Sequence, residues 1–171
     1  HIRGNYGRIN AVWQNPQTIL AASAHGGLWK TNNPGRNWQC LTDSLEPVGI
    51  SDFIVWEQPH LRIVAANSLK RFTRSLVHSS DTGKTWQDAK GFDPENQAYI
   101  TSMAREGDKA WAASAQAIWQ SRDRGNTWQE LKCNADRSQS IRELEVRKGK
   151  LLVSGINICG LLDVKTGNIN A

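Results

Sequence analysis

Three stretches of this chain end a short apolar run with the same polar turn and then a tryptophan. They read Leu28-Trp29-Lys30-Thr31-Asn32-Asn33-Pro34-Gly35-Arg36-Asn37-Trp38, Val77-His78-Ser79-Ser80-Asp81-Thr82-Gly83-Lys84-Thr85-Trp86 and Ile118-Trp119-Gln120-Ser121-Arg122-Asp123-Arg124-Gly125-Asn126-Thr127-Trp128. The last two share S-x-D-x-G-x-T-W, and each fixed residue has a turn-making reason. An aspartate carboxylate accepts hydrogen bonds from backbone amides just ahead of it. Glycine supplies a positive φ that a side chain resists. Serine or threonine ties back to the backbone across the loop, and the closing tryptophan buries a large ring over the hairpin. In the first copy Thr31, Asn33 and Asn37 replace Ser, Asp and Thr; Asn still makes an Asx turn, so the geometry should survive. A chain built on three such hairpins folds as β-sheet.

The turn belongs to a larger repeat with four members. Each opens on an I-x-x-φ strand, where φ is apolar: Ile9 with Val12, Ile50 with Phe53, Ile100 with Met103 and Ile141 with Leu144. The steps between the isoleucines are 41, 50 and 41 residues, the length of a four-stranded propeller blade. Each second strand carries small residues, Leu20 to Ala24, Val64 to Asn67, Trp111 to Ala115 and Val153 to Gly155. Alanine is a poor strand former but fits where wedge-shaped sheets crowd together. The spacing predicts blades over 5–44, 45–95, 96–136 and 137–171, each box joining its third strand to a fourth that begins at the tryptophan. In the last blade the third strand is expected at Gly160 to Val164, the turn Lys165-Thr166-Gly167-Asn168 lacks the box, and the fourth strand is barely begun.

With these residues the chain resembles the Asp-box (BNR) repeat family of β-propellers, which includes sialidases, sortilin-type receptors, xyloglucanases and photosystem assembly factors, and within it secreted bacterial proteins. The resemblance implies an all-β propeller of four-stranded antiparallel blades, about four of them present and part of a larger ring, with closure of the four as a small propeller left open as the alternative. It also implies that Thr31, Asn33, Gly35, Trp38, Ser79, Asp81, Gly83, Trp86, Ser121, Asp123, Gly125 and Trp128 are structural. At most a single carboxylate per box, where calcium needs several oxygen ligands, argues against metal, and no cofactor is expected.

Composition adds bounds. With 39% hydrophobic and 22% charged residues, the 171-residue chain is ordinary for a globular protein, and no apolar run approaches a membrane span. The net charge of +5 is spread thinly, without the concentrated basic stripe that nucleic-acid binding needs. Cys40, Cys133 and Cys159 read as free and packed, with a Cys133 to Cys159 bridge left open. His1-Ile2-Arg3-Gly4 has no signal-peptide character, and the chain reads as a mature product or excised piece.

In a propeller the box lies on the rim opposite the loops that join strands two and three and one blade to the next. Those loops are His25 to Gly27, Asn67 to Ser75, Gln116 to Ala117 and Asn157 to Gly160, with blade joins Leu41 to Gly49, Gly91 to Tyr99 and Lys132 to Ser140. No sialidase motif surrounds Tyr6 or Tyr99. The carboxylate expected of a xyloglucanase before Gly26-Gly27 is replaced by Ala24. His25, His60 and His78 are isolated, and the tryptophans belong to boxes or strands. The function expected is therefore a non-enzymatic binding or scaffold module, secreted, periplasmic or on the cell surface, engaging protein or glycan alongside further blades or domains of a longer chain. The rival is a glycoside hydrolase segment whose catalytic residues lie elsewhere. The sharpest candidate contacts are Lys70, Arg71, Phe72 and Arg74 in the longest insertion, together with His25.

Overall fold

The computed structural model describes residues 8–45, 49–57, 60–67, 75–92, 99–134 and 138–170. They form four antiparallel four-stranded sheets, each a simple meander. The first holds β1 (Ile9–Gln14), β2 (Ile19–Ser23), β3 (Gly27–Thr31) and β4 (Gln39–Cys40). The second holds β5 (Ile50–Trp56), β6 (Arg62–Asn67), β7 (Leu76–Ser79) and β8 (Gln87–Asp88). The third holds β9 (Ser102–Glu106), β10 (Lys109–Ala113), β11 (Ile118–Ser121) and β12 (Gln129–Leu131). The fourth holds β13 (Ser140–Arg147), β14 (Lys150–Ile156), β15 (Ile158–Leu162) and β16 (Ile169–Asn170). This is the all-β propeller architecture that the repeat implies.

Several boundaries differ from the sequence reading. The outer strands begin one residue after the box tryptophans. The last sheet, expected to stop short, carries an outer strand, β16, as long as β4 and β8. Its third strand starts at Ile158, because Asn157 turns the chain alone at φ 54, a left-handed conformation that asparagine tolerates. The expected loop Asn157 to Gly160 is therefore mostly strand.

The sheets stack face to face, and the stacking explains the alanines. Strand side chains alternate between faces, so a sheet between two neighbours must be apolar on both. In β6, Ile63 and Ala65 pack toward the first blade, while Val64 and Ala66 pack toward the third; all four are fully buried. In β10, Ala110 and Ala112 face backward, and Trp111 and Ala113 face forward onto the fourth blade. The described core is thus three clusters, one at each junction between consecutive blades.

The outer faces of the first and last blades have no such cluster. Ile9 and Val12 are 53% and 61% exposed, whereas their counterparts Ile50, Phe53, Ile100, Met103, Ile141 and Leu144 are buried. In β14 and β15 the alternation is clean: Leu151, Val153, Ile158 and Leu162 are buried against the third blade, while Leu152, Ile156 and Leu161 are exposed. The described blades form an arc with two unpaired faces.

Candidate functional site at the mouth of the inner strands

The boxes come first, because their geometry fixes which rim is free. In the second box the Ser79 hydroxyl donates to Asp81 Oδ1 at 2.7 Å and accepts from the Gly83 amide at 2.8 Å. The Asp81 carboxylate accepts from the Lys84 and Thr85 amides at 3.0 and 2.9 Å and from the Thr85 hydroxyl at 2.6 Å. The third box repeats this with Ser121, Asp123, Gly125, Asn126 and Thr127. In the first box Thr31 bonds Asn33 Oδ1, Asn33 Oδ1 accepts from the Asn37 amide, and Gly35 donates to the Thr31 hydroxyl. Gly35, Gly83 and Gly125 have φ of 78, 83 and 80°.

These bonds set the charge state of both aspartates. Hydrogen bonds led by those from Thr85 hold Asp81 well below the usual carboxylate range. Burial pushes Asp123 up, but the bonds from Thr127, Ser121 and Asn126 outweigh it and leave the carboxyl below its ordinary value. The boxes also join blades. Trp86 donates its indole N–H to the Leu41 carbonyl, and a Cβ on Gly125 would meet Val64 Cγ2 at 2.6 Å. Arg62 donates to the Arg124 carbonyl at 2.6 Å, to Asn126 Oδ1 at 2.7 Å and to the Ser80 hydroxyl, fastening the second and third boxes together. Trp128 is 4% exposed, whereas Trp38, with no earlier blade among the described residues, is 41% exposed.

The other rim is organised by a defect repeated in register. The ladder between first and second strands slips between Ile9 and Ala11, between Ile50 and Asp52, and between Ile141 and Glu143. A bulge re-aims the extra residue. Here it turns Asn10 and Ser51 toward the next blade, where each donates to an isoleucine carbonyl: Asn10 to Ile50 at 2.8 Å and Ser51 to Ile100 at 2.7 Å. Thr101, the third counterpart, places its hydroxyl between the Ala113 carbonyl of its own blade at 3.1 Å and the Ile141 carbonyl at 3.4 Å. Arg142 is the fourth.

Those residues converge on a cavity of about 410 Å³ lined by Arg8, Ile9, Asn10, Ser51, Tyr99, Thr101 and Arg142. It draws on the leading ends of all four inner strands, on the rim away from the boxes. Its polar lining is two guanidiniums, a phenol, two hydroxyls and an amide, without a carboxylate. Asn10 is held between Arg8, which donates to its Oδ1 at 3.0 Å, and the Ile50 carbonyl. Such a lining favours an anionic ligand and offers no acid and base pair for hydrolysis.

Beside the cavity lies the one strongly perturbed carboxyl of the inner strands. Burial pushes Asp52 up to about 6, against bonds from the Met103 and Phe53 amides at 2.6 and 2.8 Å, and the Glu143 charge adds to the rise. The sequence reading missed it, although an aspartate inside Ile50-Ser51-Asp52-Phe53-Ile54-Val55-Trp56 was a visible signal. The cavity residues were missed too, because a bulge is invisible to strict alternation.

Lys70, Arg71, Phe72 and Arg74 lie outside the described residues. His25 is exposed in the β2–β3 turn and does not reach the cavity. His78 is buried in β7, where burial and then the Arg62 charge hold its imidazole below the ordinary value. All three cysteines are free; Cys159 is exposed rather than packed, since it lies on the open face of the last blade. Among the described residues no group of His, Cys, Asp and Glu could hold a metal ion, and no helix is long and apolar enough to cross a membrane.

No family model and no curated protein match the chain. Solved structures resemble it over nearly its whole length. The extracellular domain of a one component system from B. thetaiotaomicron matches 99% of this chain with 22% of its own, at 11% identity and TM-score 0.74. A GH74 xyloglucanase from Xanthomonas campestris matches 92% with 30%, at 17% identity and TM-score 0.61. YCF48 bound to D1 peptide matches 96% with 52%, at 13% identity and TM-score 0.66. The chain spans about a fifth to a half of the length of these proteins. The likeness is one of fold, and the class it defines is the β-propeller, as found in extracellular proteins and glycoside hydrolases.

Proposed function

We propose that this chain is a non-enzymatic binding or scaffold module of a secreted or surface protein with Asp-box blades. It engages an anionic group on a protein or glycan at the mouth of the inner strands. The observation that carries this reading is the cavity, where Arg8 and Arg142 flank Asn10, Ser51, Tyr99 and Thr101 without an acidic neighbour in the lining. Both guanidinium side chains belong to exposed residues, and no hydrogen bond or ion pair among the described residues engages Arg142. Arginine presents a planar fork suited to carboxylate or sulfate. Lys70, Arg71, Phe72 and Arg74, which lie outside the described residues, and His25 are the further contacts that the sequence suggests for this role. The boxes take no part, because their polar atoms are already committed to turn hydrogen bonds.

The rival, a segment of a glycoside hydrolase, draws on the likeness to the xyloglucanase; it requires catalytic carboxylates from outside this chain. The test is binding of an acidic peptide and a uronate oligosaccharide by calorimetry at two salt concentrations. Arg142→Ser should weaken binding about tenfold or more, the cost of one charge-assisted contact, and flatten its salt dependence without moving the melting temperature. Equal affinity of Arg142→Ser and the parent chain for both probes would refute the assignment. Hydrolysis of a glycan probe by the chain alone would favour the rival.

A further inference from the structure

The cavity at the mouth of the inner strands asks for more than negative charge, because the fold has already committed part of its hydrogen-bonding capacity. The Ser51 hydroxyl lies between the Ile100 carbonyl at 2.7 Å and the Ala66 carbonyl at 3.2 Å, so its one proton is taken whichever it favours. The Thr101 hydroxyl is placed in the same way between the Ala113 and Ile141 carbonyls. A hydroxyl whose proton is committed can serve a ligand only through its oxygen. The cations are in the opposite condition, since a guanidinium has donors and no acceptor. Arg8 uses only its Nε, on Asn10 Oδ1, and among the described residues nothing engages Arg142. Asn10 keeps one amide proton beyond the one it gives to the Ile50 carbonyl.

The lining therefore combines donors from the first and fourth blades, Arg8, Asn10 and Arg142, with hydroxyl oxygens from the second and third, Ser51 and Thr101. Tyr99, 37% exposed, stands at the same cavity. A bare anion such as sulfate or acetate accepts from the guanidiniums but has no proton for the two oxygens. A neutral sugar has the protons and no charge for the guanidiniums. An ammonium group finds no carboxylate in the lining. We infer that the cavity is a subsite for a uronic acid residue, an acidic sugar whose ring carries one carboxylate and several hydroxyl groups. This rests on the reading of the cavity as an anion site and names its ligand. The carboxylate takes the forks of Arg142 and Arg8, ring hydroxyls donate to Ser51 and Thr101, and the C–H groups of the ring lie against the apolar body of Tyr99. The volume of about 410 Å³ is at the small end for ligand sites and suits roughly one or two sugar rings. An acidic side chain of a peptide also brings a carboxylate, but on a flexible stem without hydroxyls beside it, so more freedom is lost in holding it there.

The test is a panel of probes titrated calorimetrically into the full 171-residue chain: digalacturonate, glucuronate, glucose, acetate, sulfate and an acidic peptide. Both uronates should bind about tenfold or more tighter than glucose, acetate or sulfate, since each of those lacks one of the two kinds of contact. Thr101→Val removes an oxygen that only a proton-bearing ligand uses, so it should weaken uronate binding about tenfold and leave the weak binding of sulfate unchanged. Thr101→Ser keeps the oxygen and should keep the uronate affinity. The melting temperature reports whether the valine variant is folded; if it is not, the comparison of probes on the parent chain decides. Sulfate or acetate bound as tightly as the uronates would show that charge alone is read, and glucose bound as tightly would show that charge is not read; either overturns the inference. So would a preference for uronate over sulfate that Thr101→Val leaves intact. An acidic peptide bound through Arg142 more tightly than either uronate would overturn the inference and leave the wider anion-site reading standing, whereas a panel in which no binding responds to Arg142→Ser would overturn both.

Discussion

The three box glycines offer a graded experiment, because they share a backbone conformation but differ in what lies beyond the missing side chain. Replacing each by alanine adds one Cβ at φ of 78, 83 or 80°, a left-handed conformation costing about 1 to 2 kcal/mol for a non-glycine residue. At Gly35 the nearest atom is the Trp38 indole nitrogen at 3.9 Å, so only that backbone cost applies. At Gly83 the Cβ would meet Leu41 Cδ1, Cβ and Cγ at 2.7, 3.1 and 3.2 Å, within a buried side chain of the first blade, so overpacking adds to the backbone cost there. At Gly125 it would meet Val64 Cγ2 at 2.6 Å, and a valine in a buried strand is stiff at χ1. Overpacking there adds about 1 to 3 kcal/mol, so Gly125→Ala should cost roughly 2 to 5 kcal/mol in all. Gly35→Ala should therefore cost least, with Gly83→Ala and Gly125→Ala both well above it, measured by urea unfolding with common slopes. Three equal losses would refute the argument that the box glycines admit the neighbouring blade, and would leave only their turn geometry.

Four further outcomes are expected. Asp123→Ala should cost about 1 kcal/mol, at the low end of the usual range for lost hydrogen bonds, because the exposed carboxylate leaves amides that water can reach; calorimetry would show this. Arg62→Ala should cost about 2 to 3 kcal/mol, since one guanidinium bonds the second and third boxes together, and thermal unfolding would report it. Asp52 carries a pKa raised from 3.8 to about 6 in the fold, so the folded state binds the proton more tightly. Its contribution is greatest below pH 4 and is lost as pH rises through 6, by up to about 3 kcal/mol; Asp52→Asn should flatten stability over that window in pH-dependent urea melts. Asp81 and Asp123 have lowered values, so their contribution has the opposite sense: it is present above the unfolded value near 3.8 and lost on acidification below it. Asp81→Asn with Asp123→Asn should therefore reduce the loss of stability on going below pH 4.

The sequence displayed the parts of this fold that depend on local chemistry. Asp81, Gly83, Asp123 and Gly125 make their turns with bonds confined to five residues, so their spacing alone disclosed them. The alanines of β6 and β10 were legible because low strand propensity is costly without a packing reason. Hidden were the features that need two blades to exist. Asn10, Ser51, Thr101 and Arg142 differ in type, and only their equivalent places at the leading ends of the inner strands make them one set. The two-residue strands β4, β8 and β16 are too short for any alternation to be read. Arg62 sits 62 residues from the Arg124 carbonyl that it binds, a pairing no local pattern carries.

The division between the two rims follows from how their polar groups are satisfied. On the box rim each turn aspartate or asparagine is engaged by its own turn, and Arg62 has three bonds to neighbouring groups. A substitution there removes structure before it could alter recognition. On the other rim the inner strands need only one hydrogen-bond donor per blade to reach the next isoleucine carbonyl, and Asn10 and Ser51 meet that need with different chemistry, while Thr101 shares its hydroxyl between the Ile141 carbonyl and that of Ala113. The position is therefore constrained in hydrogen bonding but free in charge and size, and each residue that satisfies the blade junction also presents itself to the cavity. Arg142, in the last of the described blades, combines that freedom with a full positive charge. Changing Thr101 to Asn should keep the junction and alter the cavity, whereas changing it to Val should keep the cavity's size and strand the Ile141 carbonyl. Comparing the two by melting temperature and by ligand affinity separates the structural duty of this position from its recognition duty; a Thr101→Val chain as stable as the parent would show that the clasp contributes nothing.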